Sequence, residues 1–315
     1  LSLEESVQHS GEPLAYGARL RILTHLISAE SAHALQDRVV RDAHFGLALE
    51  EASGRDAQEA REGVQLRRAR WALDDRDATA ALQWLDQLPS GASRRTVALR
   101  MRFRAARQAG EAQVALESAR LLTKHRAFSE TAGRSIARGL AIELIRSAHD
   151  PVQMQRAWDL LERAEQNIPE VACEAAERLL QLGGDAAISR TWLLPVWEVM
   201  VRDHNMLNLA QRIRLARALE QGFGLAGESP DALWLSRIES AQMSNPRDGV
   251  LQYLAGMVCM RLNLWGKAQQ LLKQSLLTLH QSELTRDTWL AIANMAELRQ
   301  DAQGAADAYR EAAKR

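Results

Sequence analysis

Thr288-Trp289-Leu290-Ala291-Ile292-Ala293 opens a segment that runs on through Ala305, Tyr309 and Ala312. Taking Trp289 as position 4 puts Ala293 at position 8, Ala305 at 20, Tyr309 at 24 and Ala312 at 27. The pattern is steric. Two helices that cross at positions 8 and 20 approach closely only where a side chain is as small as Gly, Ala or Ser. Bulky residues such as Trp289 and Tyr309 then fill the space beside the crossing.

The same pattern recurs upstream. Gly256, Ala268, Leu272 and Ser275 take these roles 37 residues earlier. A further 34 residues back stand Gly222, Ile238 and Ala241, with Pro246 placed to end the second helix and Trp234 where a small residue belongs. Ala81 and Ala115 are 34 apart, each at a position 20. Ala69 holds position 8 of the first of those units, and Phe103 interrupts the second. Ala157, with Leu161 and Ala164 behind it, begins another second helix, and a poorer unit runs through Gly183-Gly184-Asp185 and Ser189. Strand signals are nearly absent, and Ala, Leu, Arg, Glu and Gln dominate throughout. The spacing therefore predicts an all-α, tetratricopeptide-like right-handed superhelix of helix-turn-helix units, an α-solenoid. About seven units are expected over residues 61–315. Residues 1–60 should form a leader over Leu1 to Glu12 and a degenerate helical cap, with helices over Leu14 to Ser28 and Ser31 to Ser53. Pro195, inside Trp192-Leu193-Leu194-Pro195-Val196-Trp197, should start or kink a helix.

The 315 residues are 46% hydrophobic and 25% charged with a formal net charge of zero. This is an ordinary composition that implies no polyanionic partner such as nucleic acid. Cys173 and Cys259 form no CxxC and no disulfide framework, which fits a reducing compartment. No window has the length and apolarity of a membrane span, and no signal-peptide pattern is present. The first residue is Leu1 rather than Met, which fits removal of an upstream segment whose content the remaining sequence does not give.

Catalytic patterns are missing. The chain has no GxGxxG, GxxxxGK[ST], HExxH or GxSxG. His25, His33 and His44 lie at spacings that match no zinc ligand set, so no metal is expected. Cys259 sits among apolar neighbours as a packing thiol. An enzyme is not the expected reading.

A ligand would meet positions 2, 5, 9 and 12 of the first helix of each unit, which share one face. From residue 96 these are Val97, Arg100, Arg104 and Arg107, a stripe of three arginines. Arg70 and Arg146 occupy position 9 of flanking units. Guanidinium groups there suit carboxylates, whether a peptide C-terminus, acidic side chains or porphyrin propionates; the alternative is a solvated face paired with glutamates. Further along, Tyr253, Met257 and Met260 form a deformable apolar stripe for a peptide or a flat ligand, or else pack on a neighbouring unit.

The stretch Met257-Val258-Cys259-Met260-Arg261-Leu262-Asn263-Leu264-Trp265-Gly266-Lys267-Ala268 resembles the HemY family of proteobacterial repeat proteins. Asn245-Pro246-Arg247-Asp248 before it and Asp301 to Arg310 after it fit the same pattern. The likeness covers about residues 60–315 and departs around Thr191 to Asn208. It implies a helical repeat domain on the cytoplasmic side of the inner membrane, attached only through membrane helices upstream of this chain and associated with porphyrin and haem biosynthesis. It carries over no catalytic residues, because Trp265, Gly266 and Ala268 explain themselves as crossing and space-filling residues. The expected function is thus a non-catalytic scaffold whose groove receives protein partners, among them enzymes of the haem pathway. The alternative is a carrier that holds porphyrin or haem itself, with His149 at position 12, beside Arg146, as the candidate axial ligand.

Overall fold

The computed structural model describes residues 17–53, 57–203, 205–223, 232–279 and 282–314. Among them the chain forms 18 helices and no strand. The expected leader over Leu1 to Glu12 and the first residues of the helix expected from Leu14 lie outside the described residues. Two compact units divide the chain, the first ending at Leu140 and the second opening at Ala141.

In the first unit, α1 (Gly17–Ala34) pairs with α2 (Arg38–Glu51), and α3 (Gln58–Asp74) with α4 (Ala78–Asp86). After the short α5 (Ser90–Ser93), α6 (Thr96–Ala109) pairs with α7 (Ala112–Lys124). The leading helices are also neighbours, α1 of α3 and α3 of α6. Helix α8 (Glu130–Arg146) carries the chain into the second unit. There follow α9 (Pro151–Asp159), α10 (Arg163–Gln166), α11 (Pro169–Gln181), α12 (Ala186–Arg202), α13 (Leu209–Gln221) and α14 (Ala232–Ser244). The unit closes with α15 (Gly249–Arg261), α16 (Trp265–Leu276), α17 (Glu283–Leu298) and α18 (Ala302–Ala313). Its leading helices α11, α13, α15 and α17 lie side by side in that order, while α12 pairs with α11, α16 with α15 and α18 with α17. Each unit is thus an array of helix hairpins of the tetratricopeptide type.

One turn is used again and again. Gln36, Arg76, Gly110, Gly183, Asn263 and Gln300 have φ between 58° and 78° and end α1, α3, α6, α11, α15 and α17. The next residue's N–H reaches back five residues, as from Asp77 to the Ala72 carbonyl at 2.8 Å and from Leu264 to Cys259 at 2.9 Å. A left-handed residue here satisfies the last carbonyls of the helix and reverses the chain. Crossing residues are placed from this point. Ala81, Ala115, Ala268 and Ala305 stand five residues after it; Ala69, Gly256 and Ala293 stand seven before it. All seven are buried. Ala157 and Ala312 are buried too. Phe103, at the crossing place of α6, instead packs edge-on against Phe128 with ring centroids 5.8 Å apart.

Several sequence expectations change. Helix α1 does not break between Ser28 and Ser31 but runs to Ala34. Thr24 and Ser31 bond back to the Leu20 and Ile27 carbonyls at 2.9 and 3.0 Å, so their hydroxyls need no turn. Helix α12 starts at the Asp185 cap and continues through Pro195. It buries Trp192, Leu193, Val196, Trp197 and Met200; Trp192 stacks on Trp158 at 4.6 Å and Trp197 meets Trp234 edge-on at 5.8 Å. That burial offsets the ~3 kcal/mol an interior proline costs. Gly222 is not a crossing residue: it caps the end of α13 against Ser189 and Arg190 of α12. Ala216, fully buried, is the eighth residue of α13 as Gly256 is of α15. Gly266 is exposed at the start of α16, where a Cβ would meet nothing within 4 Å, so it permits no close approach. Trp265 and Trp289 are half-buried, and Tyr309 lies exposed with its hydroxyl 3.2 Å from Asn294 Oδ1.

In the first unit, Ile22, Ala29, Phe45, Val64 and Trp71 form the core between α1, α2 and α3. Arg41 takes the place where other hairpins carry alanine, five residues after Gln36, and is buried. Its Nε donates to Asp42 at 2.8 Å and its Nη1 to Asp75 at 2.7 Å, which compensates the buried charge.

Candidate functional site

In the first unit α6 holds Val97, Arg100, Arg104 and Arg107 on one exposed face. Ala98, Leu99, Ala105 and Ala106 are buried on the opposite side, and that amphipathic split aims the stripe outward. Arg70 on α3 is exposed, with Asp74 at 3.9 Å. Arg70, Arg100, Arg104 and Arg107 are all exposed on their helices.

In the second unit, Arg146 is also exposed, and its Nε donates to Glu174 at 2.6 Å. Arg214 on α13 donates to the same carboxylate at 2.5 Å and to Glu177 at 2.9 Å. Burial opposes ionisation of Glu174, but the hydrogen bonds from Arg146 and Arg214 outweigh it and hold its carboxyl below the usual range. Arg146 is thus tied to Glu174. His149 is exposed in the turn between α8 and α9, where its backbone N–H donates to Gln153 at 3.0 Å. α8 ends at Arg146, so no helix aims His149 at a groove.

Tyr253, Met257 and Met260 come together in one cleft. It measures about 320 Å³ and lies between α13, α15 and α17, lined also by Arg217, Glu220, Leu290 and Asn294. Each helix offers the same face. Counted from their crossing residues Ala216, Gly256 and Ala293, Arg217, Met257 and Asn294 all fall at position 9. Tyr253 and Leu290 fall at position 5, and Glu220 and Met260 at 12. The two methionines and Leu290 are half-buried. Tyr253 is not an open platform: it is buried, and its hydroxyl donates to Glu220 Oε2 at 2.7 Å. Burial pushes the Glu220 carboxyl up, and the Tyr253 hydroxyl and nearby Arg261 offset that only in part. Desolvation, then Glu220 itself, likewise raises the Tyr253 phenol.

Arg217 is the residue the sequence reading missed. Its side chain crosses from α13 past α15 to α17, where Nε and Nη2 donate to Asp287 Oδ2 at 3.0 and 2.6 Å and Nη1 to Glu283 at 2.5 Å. It also lines a second cleft of about 660 Å³ with Glu177, Ile213, Arg214 and Glu283. Arg217 thus lines both clefts.

Burial raises the Cys173 thiol to about 12, which removes the thiolate. Cys259 is buried and raised by the same cause. Among the described residues no three His, Cys, Asp or Glu side chains gather as a metal site, and no helix is long and apolar enough to cross a membrane. Parallel helix faces with a soft floor and a charged rim suit the gripping of another chain.

Comparison with known proteins gives likeness of fold only. A tetratricopeptide repeat protein from Parabacteroides merdae is 14% identical, with 85% of this chain and 97% of that one covered at a TM-score of 0.34. The Cut9–Hcn1 structure of the APC/C is 13% identical over 99% of this chain and 61% of that one, at 0.37. Naa15/Naa10 bound to HypK-THB is 11% identical over 98% and 51%, at 0.32. The chain thus spans about half to two thirds of the latter two. No family model and no curated protein matches it. At these scores the fold stands on the helix pairing itself.

Proposed function

We propose that the chain is a non-catalytic interaction module, and that the shared face of α13, α15 and α17 is where it holds an extended segment of a protein partner. The observation that carries this is the alignment of equivalent positions on three successive helices around one cleft, floored by Met257, Met260 and Leu290. Methionine floors adapt to different side chains, and helix rows present them at regular intervals. The resemblance around Met257 to Ala268 narrows the proposal: the partners are enzymes of porphyrin and haem biosynthesis, met at the cytoplasmic face of the inner membrane. A tetrapyrrole carrier has less support, because His149 stands exposed in a turn. Selection of a random 12-residue peptide library on phage against the whole chain tests the reading. Peptides enriched on the wild type should be lost on Met257→Glu/Met260→Glu with its helical content intact. Enrichment that survives this double substitution contradicts the site.

A further inference from the structure

We propose that the cleft between α13, α15 and α17 selects a cationic segment: an Arg or Lys that binds Glu283 and Asp287 in the place Arg217 now fills, next to an apolar side chain seated on Met257 and Met260. This rests on the reading of that face as the partner site and adds the chemistry of the partner.

Arg217 acts as an internal stand-in for the ligand. It reaches two helices away and forks onto Asp287 at 2.6 and 3.0 Å while touching Glu283 at 2.5 Å. Desolvation works against its charge, yet the Asp287 and Glu283 contacts raise the guanidinium above its ordinary value, so it is charged wherever the fold survives. With Arg217 swung aside, Asp287 and Glu283 lose the guanidinium that bonds them both, Arg214 on the Glu283 side stays tied to Glu174 and Glu177, and Glu220 adds to the negative potential whenever it ionises. A second guanidinium or an ammonium restores the balance charge for charge. An acidic segment would instead bring carboxylates against carboxylates.

Displacement is cheap. The Arg217 side chain is 33% exposed, and those of Asp287 and Glu283 are 34% and 75% exposed, so this is a rim contact screened by water. The floor is not moved by the exchange, since Tyr253 is held from below by Glu220 rather than by Arg217. Arg217 therefore keeps the acidic rim neutral until a cationic partner takes its place.

The test uses the peptides enriched by the whole chain from the random 12-residue phage library, made synthetically with a fluorescein label and titrated by anisotropy. They should carry Arg or Lys close to Leu, Met or Ile. Arg217→Gln should bind them about two- to fivefold more tightly, the scale set by freeing one exposed ion pair. Asp287→Asn/Glu283→Gln should weaken them at least as much. Peptides that need Met257 and Met260 but are acidic, and that Arg217→Gln loses, would overturn the cationic assignment and leave the binding face standing. No peptide dependent on the face would overturn both. Should Arg217→Gln melt at room temperature, the carboxylate variant decides alone, because binding unaffected by it contradicts the proposal.

Discussion

A Cβ placed on Gly256 would stand 2.8 Å from Cγ of Leu272, so α15 and α16 meet at a distance only glycine allows. Gly256→Ala should destabilise the chain by about 1–3 kcal/mol, since overpacking outweighs the helix propensity gained. Gly266→Ala, at the second residue of α16 where the new Cβ meets nothing within 4 Å, should be neutral or stabilising by up to ~1 kcal/mol. Urea unfolding monitored by circular dichroism separates the two. Equal effects would contradict the crossing role of Gly256.

The repeated turn makes a prediction of opposite sign. Arg76 and Gln300 hold φ of 62° and 61° although neither is glycine or asparagine. Each is exposed, so its side chain gives the turn little. Arg76→Gly and Gln300→Gly should each stabilise by ~1 kcal/mol through relief of the left-handed backbone, and Gly110→Ala should destabilise by a similar amount. Melting temperatures of the three variants check this.

Arg41 is buried between Asp42 and Asp75. Arg41→Ala should cost about 3 kcal/mol because the buried cation that joins Asp42 and Asp75 is lost, leaving them only Arg68 and Arg38. Burial alone would raise the Asp42 carboxyl, but hydrogen bonds from Arg41 and Arg68 win and lower it. A lowered folded pKa means stability that is present above the unfolded value of ~3.9 and is lost as pH falls through the folded value. Glu174 acts in the same sense. Unfolding free energy should therefore drop on acidification below about pH 4, and Asp42→Asn should flatten that drop.

Glu220 titrates the other way. Its folded carboxyl is raised, so its contribution is complete below the unfolded value of ~4.3 and is lost as pH rises through the folded value. Glu220→Gln should remove that decline. Tyr253→Phe, which strips the carboxylate of its donor, should destabilise by about 1–3 kcal/mol and steepen the decline. Denaturant midpoints measured from pH 4 to 8 report both.

The helix hairpins were legible because steric spacing is written in residue size. Ala69, Ala81, Ala293 and Ala305 follow it, and all are buried. The turns were not, because tertiary pairing holds Gln36, Arg76 and Gln300 in a conformation their chemistry does not advertise. Arg217 was hidden by a slip of register. Treating Gly222 as a crossing residue moves Arg217 to position 3, whereas α13 begins at the Asn208 cap and puts it at 9. The local signal was present: Asn208 and Gln211 form a reciprocal capping box that marks the start of α13. The long connection between α13 and α14 then separates Ala216 from Trp234 by more than the usual twelve residues. Of the candidate site, Met257 and Met260 were read from sequence; the burial of Tyr253 under Glu220 was not, since it depends on a partner 33 residues away.

The most direct test of the binding face is amide hydrogen exchange of the whole chain, alone and saturated with a peptide selected from the 12-residue library. Protection should rise along α13, α15 and α17, whose equivalent positions line the cleft, and stay unchanged along α14, α16 and α18. Protection confined to α14, α16 and α18, or to the first unit, would contradict the account.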